Sequence, residues 1–380
     1  MAEVVSEIET LRRGCAAALR GETGSVVPED GFAEHGLALA ERHRVVPLVA
    51  AGLTATGREF FRRRVLALAQ QAVRLEQELA AIAGIWSAAG VEFLVMKGPA
   101  LARQAYPVPE VRAYDDLDLW VATDDFDRAV GALEKEGYRR MQPLGPRVAA
   151  CARRAGIEAG LVHPGRGRLV EVAHGGRALA PTRRAASEII ARSVVLEIAG
   201  ARIRAPAPGH ALIFACLHGA HHRWDRLAWV ADVAGLWLRL EPAEREEVCE
   251  TARRWRVETM LGLGLRLAAE HLGLALEGPA AEWALGARVA ALYPRIGLET
   301  IGPGAGRVPM LERLRFERDA QDSAWRRWRI MAGWVFTPTL GDIAARPLPE
   351  ALYPLYAVLR PLRLLGHPWR RDWRRLAVRG

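Results

Sequence analysis

The sequence predicts an α+β fold, a small mixed β-sheet core with helical N-terminal and C-terminal regions. Three observations predict it. Apolar residues recur at helical spacing up to about residue 90. From Val91 the pattern changes to short apolar or alternating runs of strand length, separated by helices. From about Pro206 the helical spacing returns. The regions are 1–90, 91–205 and 206–380, the last ending in a basic tail. With 380 residues, 51% of them hydrophobic, the chain is long enough for two or three domains, each with its own core.

In the first region, Ile8, Leu11, Ala16 and Leu19 mark an amphipathic helix, and the turn-rich GETGSVVPEDG follows it. A long helix is expected from about Glu59 to Ala89, with Val65, Leu68, Ala72, Leu75, Leu79 and Ile82 on one stripe. Its Arg62-Arg63-Arg64 run reads as a solvated helix face. The N-terminus carries acids where a signal peptide needs a basic region and an apolar core. No segment approaches the ~18 uninterrupted apolar residues of a spanning helix. Cys15, Cys151, Cys216 and Cys249 are scattered, without zinc-finger or redox spacing, and read as reduced thiols of a cytoplasmic protein. The net charge of +9 rests almost wholly on arginine, since Lys97 and Lys135 are the only lysines among 53 basic residues. So uniform a preference is compositional, which weakens any nucleic-acid argument from charge alone and singles out Lys97.

In the middle region, strands are expected at 92–96, 117–121 and 168–173, and helices at 99–105 and 124–136, the second capped by Thr123 or Asp124. GYRRMQPLGPRV reads as turn-like with a short strand, and 194–205 as a hairpin turning at Gly200. The last region reads as helices over HALIFACLHGAHHRWDRLAWVADVAGLWLRL, 243–255, 258–272 and 280–292. Gly262-x-Gly264 falls inside a helical pattern with no strand before it, so it is not a dinucleotide fingerprint.

The chemistry concentrates in FLVMKGPALARQAYPVPEVRAYDDLDLWV, residues 93–121. Alternate residues of a strand share a face, so Asp116 and Asp118 project together while Leu117 and Leu119 are buried. Paired carboxylates so placed suit Mg²⁺, which takes carboxylate oxygens together with substrate phosphates. The spacing fits phosphoryl or nucleotidyl transfer. Upstream, Gly98 permits close backbone approach, Pro99 suits the first helical position, and Lys97 adds a point charge to a helix N-terminus that attracts anions. Arg112 is a second candidate phosphate contact. In RLVEVAHGG, Val170 and Val172 face the core if 168–173 is a strand, which leaves Glu171 as a third carboxylate on the face of Leu169 and Ala173.

The order Lys-Gly, helix, Tyr-Pro, Arg, Asp-x-Asp, then a strand with one more acid, resembles the nucleotidyltransferase superfamily of DNA-polymerase-β type. More closely, it resembles the bacterial group of uncharacterised nucleotidyltransferase family proteins, a likeness that extends to LHGAHHRWDRLAWVADVA and to TPTLGD and LYAVLRPLRLL. The resemblance implies a nucleotidyltransferase core using Mg²⁺ and a nucleoside triphosphate, with ATP the expected donor, that transfers a nucleotide to an acceptor hydroxyl or phosphate and releases pyrophosphate. Gly98 then stands at the superfamily's Gly-Ser turn, Asp116 and Asp118 are the metal carboxylates, and Glu171 is the third acid. Two departures are visible. Pro99 replaces the serine usual after that glycine, so phosphate grip falls to backbone and Lys97. The family's Glu-x-His becomes Glu171-Val172-Ala173-His174.

Other readings compete for particular residues. Asp115, Asp124, Asp125 and Asp127 read as capping or surface acids. His218, His221, His222 and Asp225 share a helical face that has zinc-like spacing but no HExxH. With Asp232 they are expected to line the cleft, with His218 and His221 placed to contact nucleotide or acceptor, or else simply to pack. Leu352, Tyr356, Leu359 and Leu362, with Arg360, Arg363, Arg370, Arg371, Arg374 and Arg375, are expected to pack their apolar stripe rather than bind a membrane surface or RNA. A small-molecule or peptide acceptor is favoured over RNA. A non-catalytic nucleotide-binding protein and an RNA-modifying, toxin-like enzyme are the alternatives.

Overall fold

The computed structural model describes residues 2–28, 32–175, 183–296 and 310–366. It is a mixed α and β structure in which a small sheet is enclosed by helices from both ends of the chain. The first helices are α1 (Ala2–Leu19), α2 (Phe32–Arg42), α3 (Val46–Gly52), α4 (Ala55–Glu59) and α5 (Arg62–Ala88). The long α5 buries Leu75, Leu79, Ile82 and Trp86 on one stripe. Its arginine run stays on the surface, where Arg62 pairs with Glu59 and Arg64 with Glu41.

Next come β1 (Phe93–Val95), α6 (Pro99–Ala105), β2 (Asp116–Val121), α7 (Phe126–Lys135), β3 (Arg139–Arg140), α8 (Pro146–Arg154), β4 (Ala159–Val162) and β5 (Leu169–His174). The five strands form one sheet in the order β1-β2-β5-β4-β3. Only the β2–β5 pair is parallel; β1–β2, β5–β4 and β4–β3 are antiparallel. One face carries Leu117, Leu119, Val121, Val170 and Val172 into a core shared with α5 and α7. Trp86 fixes that packing by donating its indole N–H to the Ala129 carbonyl at 2.9 Å. The opposite face carries Asp116, Asp118 and Glu171 together with Trp120 and Ala173, which pack against the helical core.

Three elements of the middle region went unread in the sequence: α8, β4 and the helix Arg183–Ala191. The Gly145-Pro146 start of α8 and its buried Cys151 and Ala152 are ordinary signals, masked by the turn residues around them. Neither Thr123 nor Asp124 caps α7. A 3₁₀ turn, Thr123–Asp125, precedes it, and Asp125 pairs with Arg128 instead.

After α9 (Arg183–Ala191), the hairpin β6 (Val194–Ile198) and β7 (Ala201–Ala205) turns at Ala199-Gly200. Then follow α10 (Pro208–His221), α11 (Leu227–Arg239), α12 (Pro242–Trp255), α13 (Glu258–Leu272), α14 (Gly278–Leu285) and α15 (Ala287–Leu292). The run expected as one helix from His210 is broken. Arg223 and Trp224 both adopt positive φ, and Trp224 is fully buried against Gly219 and Gly264. Gly264 is thus small because an indole and Cys216 press on it, and Gly262 because the Trp283 backbone does. The final helices are α16 (Met310–Asp319), α17 (Ala324–Phe336), α18 (Leu340–Ala345) and α19 (Tyr356–Gly366).

Of the expected C-terminal apolar stripe, Tyr356 and Leu359 pack near Cys151 and Ile343, while Leu352 and Leu362 stay exposed. Arg360 and Arg363 are held by Asp342. Arg370, Arg371, Arg374 and Arg375 lie outside the described residues. All four cysteines are free and buried. No helix among the described residues is long and apolar enough to cross a membrane.

Candidate functional site

The carboxylate-bearing face of the sheet looks into a cleft of about 960 Å³, closed on its other sides by α10, α13, α16 and α17. Strand alternation brings the carboxylates there. Asp116 and Asp118 are half-buried on β2, and Leu117 and Leu119 between them are buried. The parallel register sets Asp118 directly beside Glu171 and Asp116 beside Leu169. Asp118 and Glu171 line the cleft with Lys97, whose Nζ lies 3.1 Å from Asp118 Oδ1. Asp116 stands one step further along the same face, towards Arg44 and Arg226.

A fourth carboxylate, Glu158, joins them from the residue before β4, exposed at the cleft mouth. Sequence reading missed it because β4 itself was not recognised; in an antiparallel partner of β5 it would have fallen near Glu171.

Their closeness shows in their proton affinities. Burial, then the charges of Glu158, Asp118 and Asp116, push the Glu171 carboxyl up to about 7. Burial and Asp118 raise Glu158, and burial with Asp118 and Asp115 raises Asp116. Lys97 acts against all three shifts. The sheet face thus gathers more negative charge than one lysine balances.

Gly98 works beneath the surface. Its φ of 57° and ψ of −127° suit glycine alone, and they turn the chain from β1 into α6. Gly98 and Pro99 are buried and do not line the cleft, so the turn acts by placing Lys97 rather than by offering its own amides. Arg112, read as a phosphate contact, is corrected here. Its Nε and Nη2 donate to the two oxygens of Asp232 at 2.7 and 2.9 Å, Tyr106 donates its hydroxyl to Asp232 at 2.7 Å, and Arg112 Nη1 reaches the Gly98 carbonyl at 3.4 Å. Asp232 is correspondingly buried and not a cleft residue. This closed cluster braces the Lys97-Gly98 turn against α11.

The histidines divide. His218 lines the cleft, 4.5 Å from the His222 ring and edge-on to Trp229 at 5.4 Å. Burial and the Lys97 charge push it down to about 2 and His222 down to about 4, where burial, His221 and Lys97 act together, so both are neutral. His221, also in the cleft wall, sets Nδ1 2.9 Å from Glu317 Oε1, a close charge contact without hydrogen-bond alignment. Asp225 falls beyond the helix break and does not continue their face, so the zinc-like spacing is not realised. No group of three or more His, Cys, Asp or Glu side chains is gathered as a metal cage among the described residues. His174 follows Val170 and Val172 onto the buried face, with its ring 4.2 Å from Phe126. The extra residue in Glu171-Val172-Ala173-His174 puts Ala173, not the histidine, on the Glu171 side.

A mixed sheet bearing clustered carboxylates and a glycine turn that presents a lysine defines the class, a nucleotidyltransferase-like fold. The chain belongs to the uncharacterised nucleotidyltransferase family, whose sequence pattern matches residues 33–273. No curated protein matches it. Among solved structures it is similar to an antigenic nucleotidyltransferase-like protein from Paracoccidioides brasiliensis. The two share 14% identity over 55% of this chain and 95% of that one, at a TM-score of 0.34, a likeness too distant to carry weight.

Proposed function

We propose that the protein is a Mg²⁺-dependent nucleotidyltransferase that moves a nucleotide from a nucleoside triphosphate, with ATP the expected donor, to an acceptor hydroxyl or phosphate. The observation that carries the reading is the parallel register of Asp118 and Glu171, which sets two carboxylates side by side on the cleft wall next to Lys97. The donor set fits a hard divalent cation. Asp116, Asp118, Glu158 and Glu171 offer only carboxylate oxygens, and burial, then their mutual repulsion, makes three of them hold their protons more tightly. Mg²⁺ takes one or two carboxylates together with substrate phosphates, so a complete protein cage is not required. When bound, the ion polarises the reacting phosphate and neutralises the departing pyrophosphate.

The chain's own residues supply the rest. Lys97, 3.1 Å from Asp118, would hold a phosphate oxygen. Neutral His218 and His222, their rings tilted by 58° to each other, would border the base. The acceptor oxygen bonds to the α-phosphorus as the bond to the β-phosphate oxygen breaks, and pyrophosphate leaves with that electron pair. The acceptor's proton passes to Glu171, whose pKa near 7 suits a general base at neutral pH. Pyrophosphate release from each of the four triphosphates, measured with cell extract as acceptor source, tests this. Asp118→Asn and Glu171→Gln should each lower it at least about 100-fold, and undiminished turnover in either variant would end the proposal.

Nucleotide binding without chemistry is the second reading, favoured by the Lys97–Asp118 ion pair, which occupies an oxygen the cation needs. Calorimetry showing triphosphate binding without Mg²⁺-dependent turnover would select it.

A further inference from the structure

Opposite the carboxylates, the cleft contains a second polar feature. Arg326 on α17 lines the cleft and is only 7% exposed. Its Nη1 donates to the Arg256 carbonyl at 2.9 Å, its one hydrogen bond among the described residues. No carboxylate of the described residues stands within ion-pair distance of it. Asp322 and Glu258 act on it only from further off, and Asp322 is already held by Thr259 and Arg288. A buried guanidinium without a counter-ion is costly unless a ligand completes it. Its Nε and Nη2 are not sealed in the interior, and the residue stands in the cleft wall. The edge bearing these two atoms is the two-pronged fork that matches the two oxygens of a carboxylate.

The rest of the cleft wall is mixed, with Glu317, Gln321, Thr337 and Thr339 beside an apolar stripe. Phe214, Leu217, Met260, Ile330 and Trp334 all line the cleft. The charges that act most on Arg326 are those of Arg329, Asp322, Arg256 and Glu258, whereas Lys97 acts on His218 and His222.

We infer that Arg326 is an anion-recognition residue and that the acceptor is an amphipathic organic acid. Its carboxylate sits on the Arg326 fork, its apolar body lies along Met260, Ile330 and Trp334, and its nucleophilic oxygen faces Glu171. The word acceptor rests on the nucleotidyl-transfer reading; the anion site does not.

The probes are 1-naphthylacetate and its uncharged amide, titrated calorimetrically into the full-length protein. The wild type should bind the acid at least about tenfold more tightly than the amide, as a charge-assisted fork implies. Arg326→Gln should remove that preference and leave the amide's affinity unchanged. The acid should still bind when the protein is saturated with Mg²⁺ and a non-hydrolysable ATP analogue. Equal affinity for acid and amide in the wild type would overturn the inference, as would a preference retained by folded Arg326→Gln. Displacement of the acid by the nucleotide analogue would overturn it too, by assigning Arg326 to the nucleotide's phosphates. The wild-type titrations decide the matter even if the variant does not fold. Failure of pyrophosphate release, by contrast, would sink only the nucleotidyl-transfer reading.

Discussion

Glu171 keeps its proton to about pH 7 because it is partly buried and three other carboxylates stand near it, and this has consequences for stability as well as chemistry. Its folded pKa lies above the ordinary 4.5, so the folded state binds the extra proton between those values. The stability this confers is complete below about pH 4.5 and is lost as pH rises through about 7. Glu171→Gln cannot ionise, so it should be more stable than the wild type at pH 8, by on the order of 1–3 kcal/mol. Melting curves across pH 5–8 check this, and the advantage should shrink as pH falls. Mg²⁺ competes with the same proton, so Mg²⁺ affinity should rise with pH up to about 7 and then level off. Arg112 and Asp232 make the opposite case, a buried pair with both members satisfied. Asp232→Ala leaves a buried guanidinium unpaired and should cost about 3–5 kcal/mol in denaturant unfolding.

At the scale of elements, α6 matters because it carries the Lys97-Gly98 turn at one end and Tyr106 at the other. It is held on three sides. Arg103 forks onto Glu76 of α5 at 2.8 and 3.1 Å, Tyr106 and Arg112 meet Asp232 of α11, and Gly235 of α11 packs directly on the end of α6. A Cβ at Gly235 would lie 2.2 Å from the Ala105 carbonyl oxygen, which backbone cannot relieve without moving the helix. Gly235→Ala should therefore destabilise the protein by about 1–3 kcal/mol and lower triphosphate affinity by shifting Lys97. Calorimetry with the nucleotide analogue measures the second effect. Element boundaries were legible where the periodicity was clean: α6 falls on 99–105 as expected, and β2 and β5 lie within a residue of expectation. They were not legible where a tertiary contact broke a helical pattern, as buried Trp224 does between α10 and α11.

Over the whole molecule, the cleft joins two stretches of chain of different standing. Its carboxylate wall and α10 belong to the part that matches the family, which ends at Gly273, while Glu317, Arg326, Ile330 and Trp334 lie beyond it. Donor handling and acceptor choice should separate accordingly. Trp334→Ala should leave the affinity for Mg²⁺ and the nucleotide analogue within about twofold, whereas Asp118→Asn should weaken it at least about tenfold, since a charge-assisted contact is lost. Titration calorimetry on the two variants decides it.

Local rules determined the carboxylate wall and the Lys97 turn from sequence alone. Alternation along β2 and β5 sets which faces Asp116, Asp118 and Glu171 occupy, and the glycine before Pro99 sets the turn that presents Lys97. These depend on neighbours one to four residues away. Only the tertiary structure decided that Arg112 pairs with Asp232 inside the fold, and that Glu158 and Arg326 reach the cleft. Each of those outcomes depends on a partner more than ten residues away in sequence, and such distances leave no periodic trace.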